Sequence, residues 1–309
     1  MEEGIIILTG ATGFVGQYVL KELLNKGITV HCLINNRSPV QQHKNLVTHK
    51  VNLLTENTDQ LSKIFDEVKP TLCIHCAWYT NHKDYLTSTL NHDWLAASKR
   101  LIDLFYSKGG KRFVGLGTCI EYDLARSGLC NEDRTPLLGL TVYAQAKVAL
   151  FKYLKSLNEQ QQKDFAWSRI FFVYGPRDRK GRLIPYIFSC LSKNKEAKPY
   201  YGALKRDYIH VENLGTQIVK VAFSSLQGAV NVGTGKAVNI QSIFNEVGKQ
   251  MNKIELIGQN IVGNPNDFPL ILADMSKYIK EVGPLKNYDL SSGMSQTVEW
   301  MQGKPDFYL

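Results

Sequence analysis

The sequence predicts an α/β fold built on a doubly wound parallel sheet, and three observations carry the prediction. Apolar runs suited to strands covered on both faces alternate with amphipathic helical stretches. The first such run ends in a glycine-rich turn. The chain, 309 residues long, suits either two modest domains or one large α/β unit.

GIIILTG (4–10) is a continuous apolar run closed by glycine, as a strand buried in a parallel sheet would be. FVGQYVLKELLNKG (14–27) follows with Val15, Val19 and Leu23 at helical spacing, and stops at Gly27, which suits a left-handed cap. ITVHCLI (28–34), LVTHKVNL (46–53), TLCIHCA (71–77) and KRFVGLG (111–117) read as further strands. TDQLSKIFDEVK (58–69) and LNHDWLAASKRLIDLFYSKGG (90–110) read as helices between them, and another helix starts near Thr141. The alternation is that of a Rossmann-type sheet, whose ligands sit beyond the carboxyl ends of the strands where strand order reverses.

Functional residues fall at those ends. TGATGFVG (9–16) spaces Gly10, Gly13 and Gly16 as GxxGxxG between the first strand and first helix. Glycines there permit a tight turn and let the backbone approach a pyrophosphate, whose charge meets N–H groups at the helix N-terminus. An adenine dinucleotide is the expected cofactor. The second strand ends HCLINNRS (31–38), without the carboxylate that NAD sites place on the ribose hydroxyls. Arg37, with Ser38, is placed to bind a 2′-phosphate, so NADP(H) is expected ahead of NAD(H).

The fifth strand runs out into GLGTCIEY (115–122), and the next helix carries YAQAK (143–147). Tyr143 and Lys147, four apart, share one helical face, and Thr118 at the strand end faces the same space. A carbonyl reduced by hydride needs a proton for the developing alkoxide. A phenol is a reluctant acid that a neighbouring ammonium draws toward the working range. Thr118, Tyr143 and Lys147 are therefore the expected catalytic group, acting on one substrate oxygen.

Composition excludes several alternatives. Apolar residues make up 44% and charged residues 21%, so disorder is not expected, and no repeat is visible. No apolar run approaches the length of a membrane span, and MEEGIIILTG enters a strand without a basic leader, which predicts a soluble, cytoplasmic protein. The net charge of +9 comes from scattered lysines without an arginine-rich stripe, so no nucleic acid is expected as partner. CIHC (73–76) is a CxxC, but it lies inside an apolar strand with no second ligand pair at zinc spacing, and no metal is expected.

With these residues in place, the chain resembles the extended short-chain dehydrogenase/reductase family over essentially its whole length, through TGATGFVG, YAQAK, RIFFVYGP (169–176) and RDYIHVENL (206–214). The last two resemble the nucleotide-sugar branch of epimerases, 4,6-dehydratases and 4-ketoreductases. The resemblance implies an NAD(P)-binding domain over residues 1–169 and a smaller α/β substrate domain over 170–309, interleaved with it. It implies further cofactor contacts from Thr12, Phe14 and Val15 in the turn, Asn52 and Leu53 after the third strand, and Ala77 after the fourth. It also implies substrate contacts from Arg182 and from Arg206, whose guanidinium suits a diphosphate. Asn91 matches an asparagine that positions the catalytic lysine through water. A homodimer is implied too, paired through the fourth and fifth helices, where Trp94, Leu95 and Leu101 offer an apolar stripe that equally suits packing on the sheet.

Departures from the family pattern discriminate between activities. Dehydratases follow the catalytic threonine with Asp and Glu, whereas Cys119 and Ile120 follow Thr118 here. Glu121, expected on the alternate strand face, reads as structural and Cys119 as packing. Phe172 stands where many relatives carry an asparagine. The expected activity is NADPH-dependent reduction of a nucleotide-diphosphate 4-keto-6-deoxyhexose at C4, in the manner of the abequose, paratose and fucose type synthases, which GRLIPYIFSCL (181–191) resembles. The alternatives are a redox-neutral NAD-dependent 4-epimerase, action on another carbonyl substrate and, from a different class, a dinucleotide-sensing or interaction protein with a vestigial site.

Overall fold

The computed structural model describes residues 4–35, 42–55, 58–126, 128–259, 267–286, 288–305 and 308. In chain order the first half forms β1 (Ile6–Thr9), α1 (Gly16–Asn25), β2 (Val30–Ile34), β3 (Leu46–Lys50), α2 (Asp59–Val68), β4 (Leu72–His75), α3 (Leu90–Ser107), β5 (Arg112–Thr118), β6 (Leu129–Cys130) and α4 (Val142–Gln161). There follow β7 (Asp164–Ile170), β8 (Phe172–Tyr174), α5 (Leu183–Ser192), β9 (Lys205–His210), α6 (Val211–Phe223) and β10 (Gly228–Val232). The chain closes with β11 (Ala237–Asn239), α7 (Ile240–Gln250), β12 (Leu270–Ala273), α8 (Ser276–Glu281) and α9 (Leu290–Gln302).

The large sheet has seven strands in the order β10-β7-β5-β4-β1-β2-β3, all parallel, and is the doubly wound sheet the sequence predicts. Successive residues of a strand point to opposite faces, so β1 sends Ile6 and Leu8 into one core with α1 and α6, and Ile7 into the other with α2, α3 and α4. Continuous apolar runs were needed because both faces are covered. Strand order reverses beside β1, between β2 and β4, which opens a crevice at their carboxyl ends.

The smaller sheet runs β11-β9-β12-β6, with β8 pairing on β9. Its apolar layer, including Ile187, Phe188, Phe244 and Met294, comes from α5, α7 and α9. The two sheets share sequence both ways. β10 pairs in register with β7, Gly228 opposite Ala166, while β6 pairs with β12, Cys130 opposite Ala273. Leu101 is buried against the large sheet, and Trp94 and Leu95 are half-buried. No helix among the described residues is long and apolar enough to cross a membrane.

Candidate active site

At the end of β1, Gly10 takes a φ of +71°, and a Cβ there would meet the Ala77 backbone nitrogen at 2.6 Å. A Cβ on Gly16 would sit 2.1 Å from the Gly10 carbonyl oxygen. These two glycines let β4 and α1 close upon the turn, whereas a Cβ on Gly13 would meet only the Gly10 oxygen, at 3.2 Å. α1 has no side-chain cap, and the N–H groups of Phe14 and Val15 donate to nothing among the described residues. Open donors at the start of a helix are what an anion requires. Thr12 and half-buried Phe14 flank them.

A buried network that the sequence did not reveal stiffens this turn. Thr9 Oγ1 accepts from the Ala77 N–H at 3.2 Å and bonds His75 Nδ1 at 2.7 Å, while His75 Nε2 bonds Ser98 Oγ at 2.9 Å. Burial, then the Lys147 charge, pushes His75 down to about 3, so its imidazole is neutral. Asn52 and Leu53 line a crevice beyond β3 with Thr55, Ala97 and Arg100, and Arg100 is a cation the sequence reading missed. Arg37 and Ser38 lie outside the described residues.

β5 ends at Thr118 as expected, but residues 119–121 form a 3₁₀ turn in place of continued strand. The cause is a capping box: Thr118 Oγ1 accepts from Ile120 N–H, and Glu121 Oε1 accepts from Thr118 N–H at 2.8 Å. Glu121 is fully buried, paired with Arg169 Nε at 2.9 Å, and accepts from Trp167 Nε1 at 3.1 Å. Cys119 packs in the core with Cys130, and burial pushes its thiol up. All six cysteines are free; Cys73 is buried in β4, and burial holds Cys76 at about 12.

α4 opens at Thr141, whose Oγ1 accepts from Ala144 N–H at 3.1 Å, and Tyr143 N–H donates to the Leu86 carbonyl at 3.1 Å. The Tyr143 ring meets Tyr85 edge-on at 5.2 Å and Trp78 at 6.4 Å. Lys147, 4% exposed, donates from Nζ to the Leu116 carbonyl at 2.8 Å. Thr118, Tyr143 and Lys147 thus converge from β5 and one face of α4. Their electrostatics differ from the sequence expectation. The phenol is not drawn down: burial pushes it up, Tyr85, Glu121 and Cys119 add to the rise, and Thr118 is the lowering influence. The ammonium lies 5.8 Å from the Tyr143 ring centroid and nearer the Trp78 ring, at 3.6 Å.

Burial also lowers Lys147 to about 7, against the partial compensation of Glu121 and Cys76. Between about 7 and the ordinary value of 10.5 the unfolded chain binds a proton that the folded chain lacks, so stability rises with pH across that window. Lys147→Met is therefore expected to raise Tm by roughly 5 °C below pH 7, with the gain vanishing as pH climbs toward 10.5. Thermal unfolding of the cofactor-free protein across that range checks this, and a gain that grew with pH would contradict it.

The remaining residues divide. Arg182 bonds Asp178 at 3.1 Å and the Val173 carbonyl at 3.1 Å, and its guanidinium lies 5.8 Å from the Phe14 ring centroid. Arg206 donates to the Lys205 and Phe268 carbonyls, and its guanidinium lies 5.7 Å from the Phe172 ring centroid. Both charges act on Tyr208, which burial pushes to about 12 and the two arginines pull back. Asp207 does not pair with Arg206; it accepts from Thr234 and Gly235 and ties the loop between β10 and β11. Asn91 is fully buried, and its side-chain amide bonds Trp78, Tyr85 and Ser88.

The sequence pattern of the NAD dependent epimerase/dehydratase family matches residues 6–239. CDP-abequose synthase of Salmonella muenchen is 22% identical over 305 residues, 94% of this chain and 96% of that one. A UDP-N-acetylglucosamine 4-epimerase from Methanobrevibacter ruminantium M1, solved with UDP-N-acetylmuramic acid, superposes with a TM-score of 0.87 at 22% identity, over 98% of this chain and 100% of that one. A dTDP-glucose 4,6-dehydratase from Bacillus anthracis, solved with NAD, gives a TM-score of 0.83 at 19% identity, over 99% and 98%. Structural likeness at these identities establishes a shared fold.

Proposed function

We propose that this chain, which belongs to the NAD dependent epimerase/dehydratase family, reduces the C4 carbonyl of a nucleotide-diphosphate 4-keto-6-deoxyhexose. The observation that carries the reading is the state of Glu121, the nearest carboxylate to the catalytic group. Buried and committed to Arg169, Trp167 and the Thr118 N–H, it is withdrawn from proton transfer at carbon. Dehydration needs such an acid and base pair, and Cys119 and Ile120 cannot supply it. C4 redox chemistry needs only Thr118, Tyr143 and Lys147.

A nicotinamide dinucleotide, when bound, supplies the hydride. The open N–H groups of Phe14 and Val15 would meet its diphosphate, and the crevice of Asn52, Leu53 and Arg100 would take the adenosine end. Tyr143 gives its proton to the oxygen formed at C4, and Thr118 orients that oxygen. Burial keeps the Tyr143 phenol protonated, the state in which it enters a reduction. Arg182 and Arg206, whose charges both act on Tyr208, bind the sugar diphosphate.

The test is stoichiometry. With a panel of nucleotide 4-ketosugars, one NADPH is expected to be oxidised per sugar reduced; C4 inversion of a nucleotide sugar without net cofactor loss would overturn the reductase in favour of an epimerase. The strand end without a carboxylate supports NADPH as the donor, with binding at least about tenfold tighter than NADH. Arg37→Ala is expected to remove most of that preference, since one charge-assisted phosphate contact is worth about 1.5 to 3 kcal/mol. Equal affinities in the unmodified protein, by fluorescence titration, would refute the NADP assignment.

A further inference from the structure

The Lys147 ammonium lies 3.6 Å from the centroid of the Trp78 ring, while the Tyr143 and Trp167 rings stand at 5.8 Å and 5.9 Å. That is contact distance for a cation on an aromatic face, and indole is the best of the aromatic partners. Trp78 is itself pinned. Its Nε1 donates to Asn91 Oδ1 at 2.9 Å, and Asn91 Nδ2 donates to the Tyr85 carbonyl at 2.7 Å and the Ser88 carbonyl at 2.8 Å. One buried amide therefore fixes the indole and also the loop whose Tyr85 ring abuts Tyr143. An exposed surface lysine would gain little from such a face, but Lys147 is buried and, among the described residues, donates to one acceptor, the Leu116 carbonyl.

We propose that Trp78 is a positioning residue for Lys147: its indole face holds the lysine ammonium at the catalytic group, and Asn91 holds the indole. The proposal rests on the reading of Lys147 as part of the reaction and gives its buried charge a partner beyond the Leu116 carbonyl. The other charged or titratable groups that act there are Glu121 and Cys76, which favour the ammonium, the neutral His75, whose own shift includes the Lys147 charge, and Tyr143. Of the three rings around Nζ, that of Trp78 is the nearest.

Progressive fluorination of the ring at position 78 tests this, because it drains the negative face and leaves volume and burial nearly unchanged. The readout is the NMR titration of the Lys147 side chain in the full-length, cofactor-free protein, assigned with Lys147→Arg. The midpoint, near 7 in the unmodified protein, is expected to fall stepwise by about one unit at tetrafluorotryptophan. Trp78→Phe, which keeps a π face, is expected to shift it by less than the tetrafluoro ring does. Asn91→Ala is expected to lower it as well, by freeing the indole. A midpoint that stays put or rises across the fluorinated series, with circular dichroism intact, overturns the proposal. The titration uses neither cofactor nor sugar, so its failure and failure of the reductase stoichiometry are separate results.

Discussion

Tyr143→Phe is expected to lower kcat for ketosugar reduction by roughly 10² to 10⁴ while leaving dinucleotide binding nearly intact, the usual worth of a positioned general acid. The change removes one oxygen from a ring packed against Tyr85 and Trp78, on a backbone whose N–H donates to the Leu86 carbonyl, so the wall of the cleft stays in place. Thr118→Val should cost less, because it removes an orienting group and leaves the proton source, and Thr118→Ser should be nearly harmless. Cys119→Ser is the control, since that thiol faces the core beside Cys130, and its activity should stay within about tenfold. A loss under tenfold for Tyr143→Phe would mean that the proton comes from another group. A Cys119→Ser defect as deep as that of Tyr143→Phe would bring a further proton transfer into the reaction.

Glu121→Gln is expected to destabilise the protein by about 3 to 5 kcal/mol, because it leaves the Arg169 charge buried without its counterion. Arg169 is 1% exposed; its remaining contacts are the Tyr122 hydroxyl at 3.1 Å and the faces of Tyr122 and Phe151. None of these carries a compensating negative charge. Tm should fall by roughly 10 °C, while protein that remains folded in the cold should keep activity within about tenfold. Adding Arg169→Met should restore part of the stability, since removing both charges avoids the unpaired one. Urea unfolding of the three variants checks this, and a single-mutant loss under 1 kcal/mol would show that the ion pair carries no such weight.

What could be read in the sequence was set by local spacing. The glycine turn, the buried strands and the Tyr143 and Lys147 pair lie within short windows whose periodicity reports their geometry. The turn at residues 119–121 was also within reach: Thr118 and Glu121 form a T-x-x-E capping box, which outweighs the strand pattern preceding it. Trp78, Tyr85, Arg100 and Arg169 were not legible as site residues, because each arrives from a different element and only the folded chain brings it there. The expected lowering of the Tyr143 phenol failed for a related reason. Four-residue spacing places Lys147 on the same face, yet it is the tertiary partners Trp78 and Leu116 that decide where the ammonium goes.

The exchange of strands between the two sheets also bears on synthesis. As the chain leaves the ribosome, the early strands through β7 can assemble, but the hydrogen-bonding edge at Ala166 to Ile170 waits for Gly228 to Val232. An unpaired edge is a template for pairing with another chain. The smaller sheet is bound by the reverse dependence, since β12 closes on Leu129 and Cys130, made more than a hundred residues earlier. Neither sheet is therefore a vectorial folding unit, and completion of both is late and shared. A nascent chain stalled before Gly228 would carry the nucleotide turn and the catalytic pair on a sheet with an open flank, the stage at which a holding chaperone has most to protect.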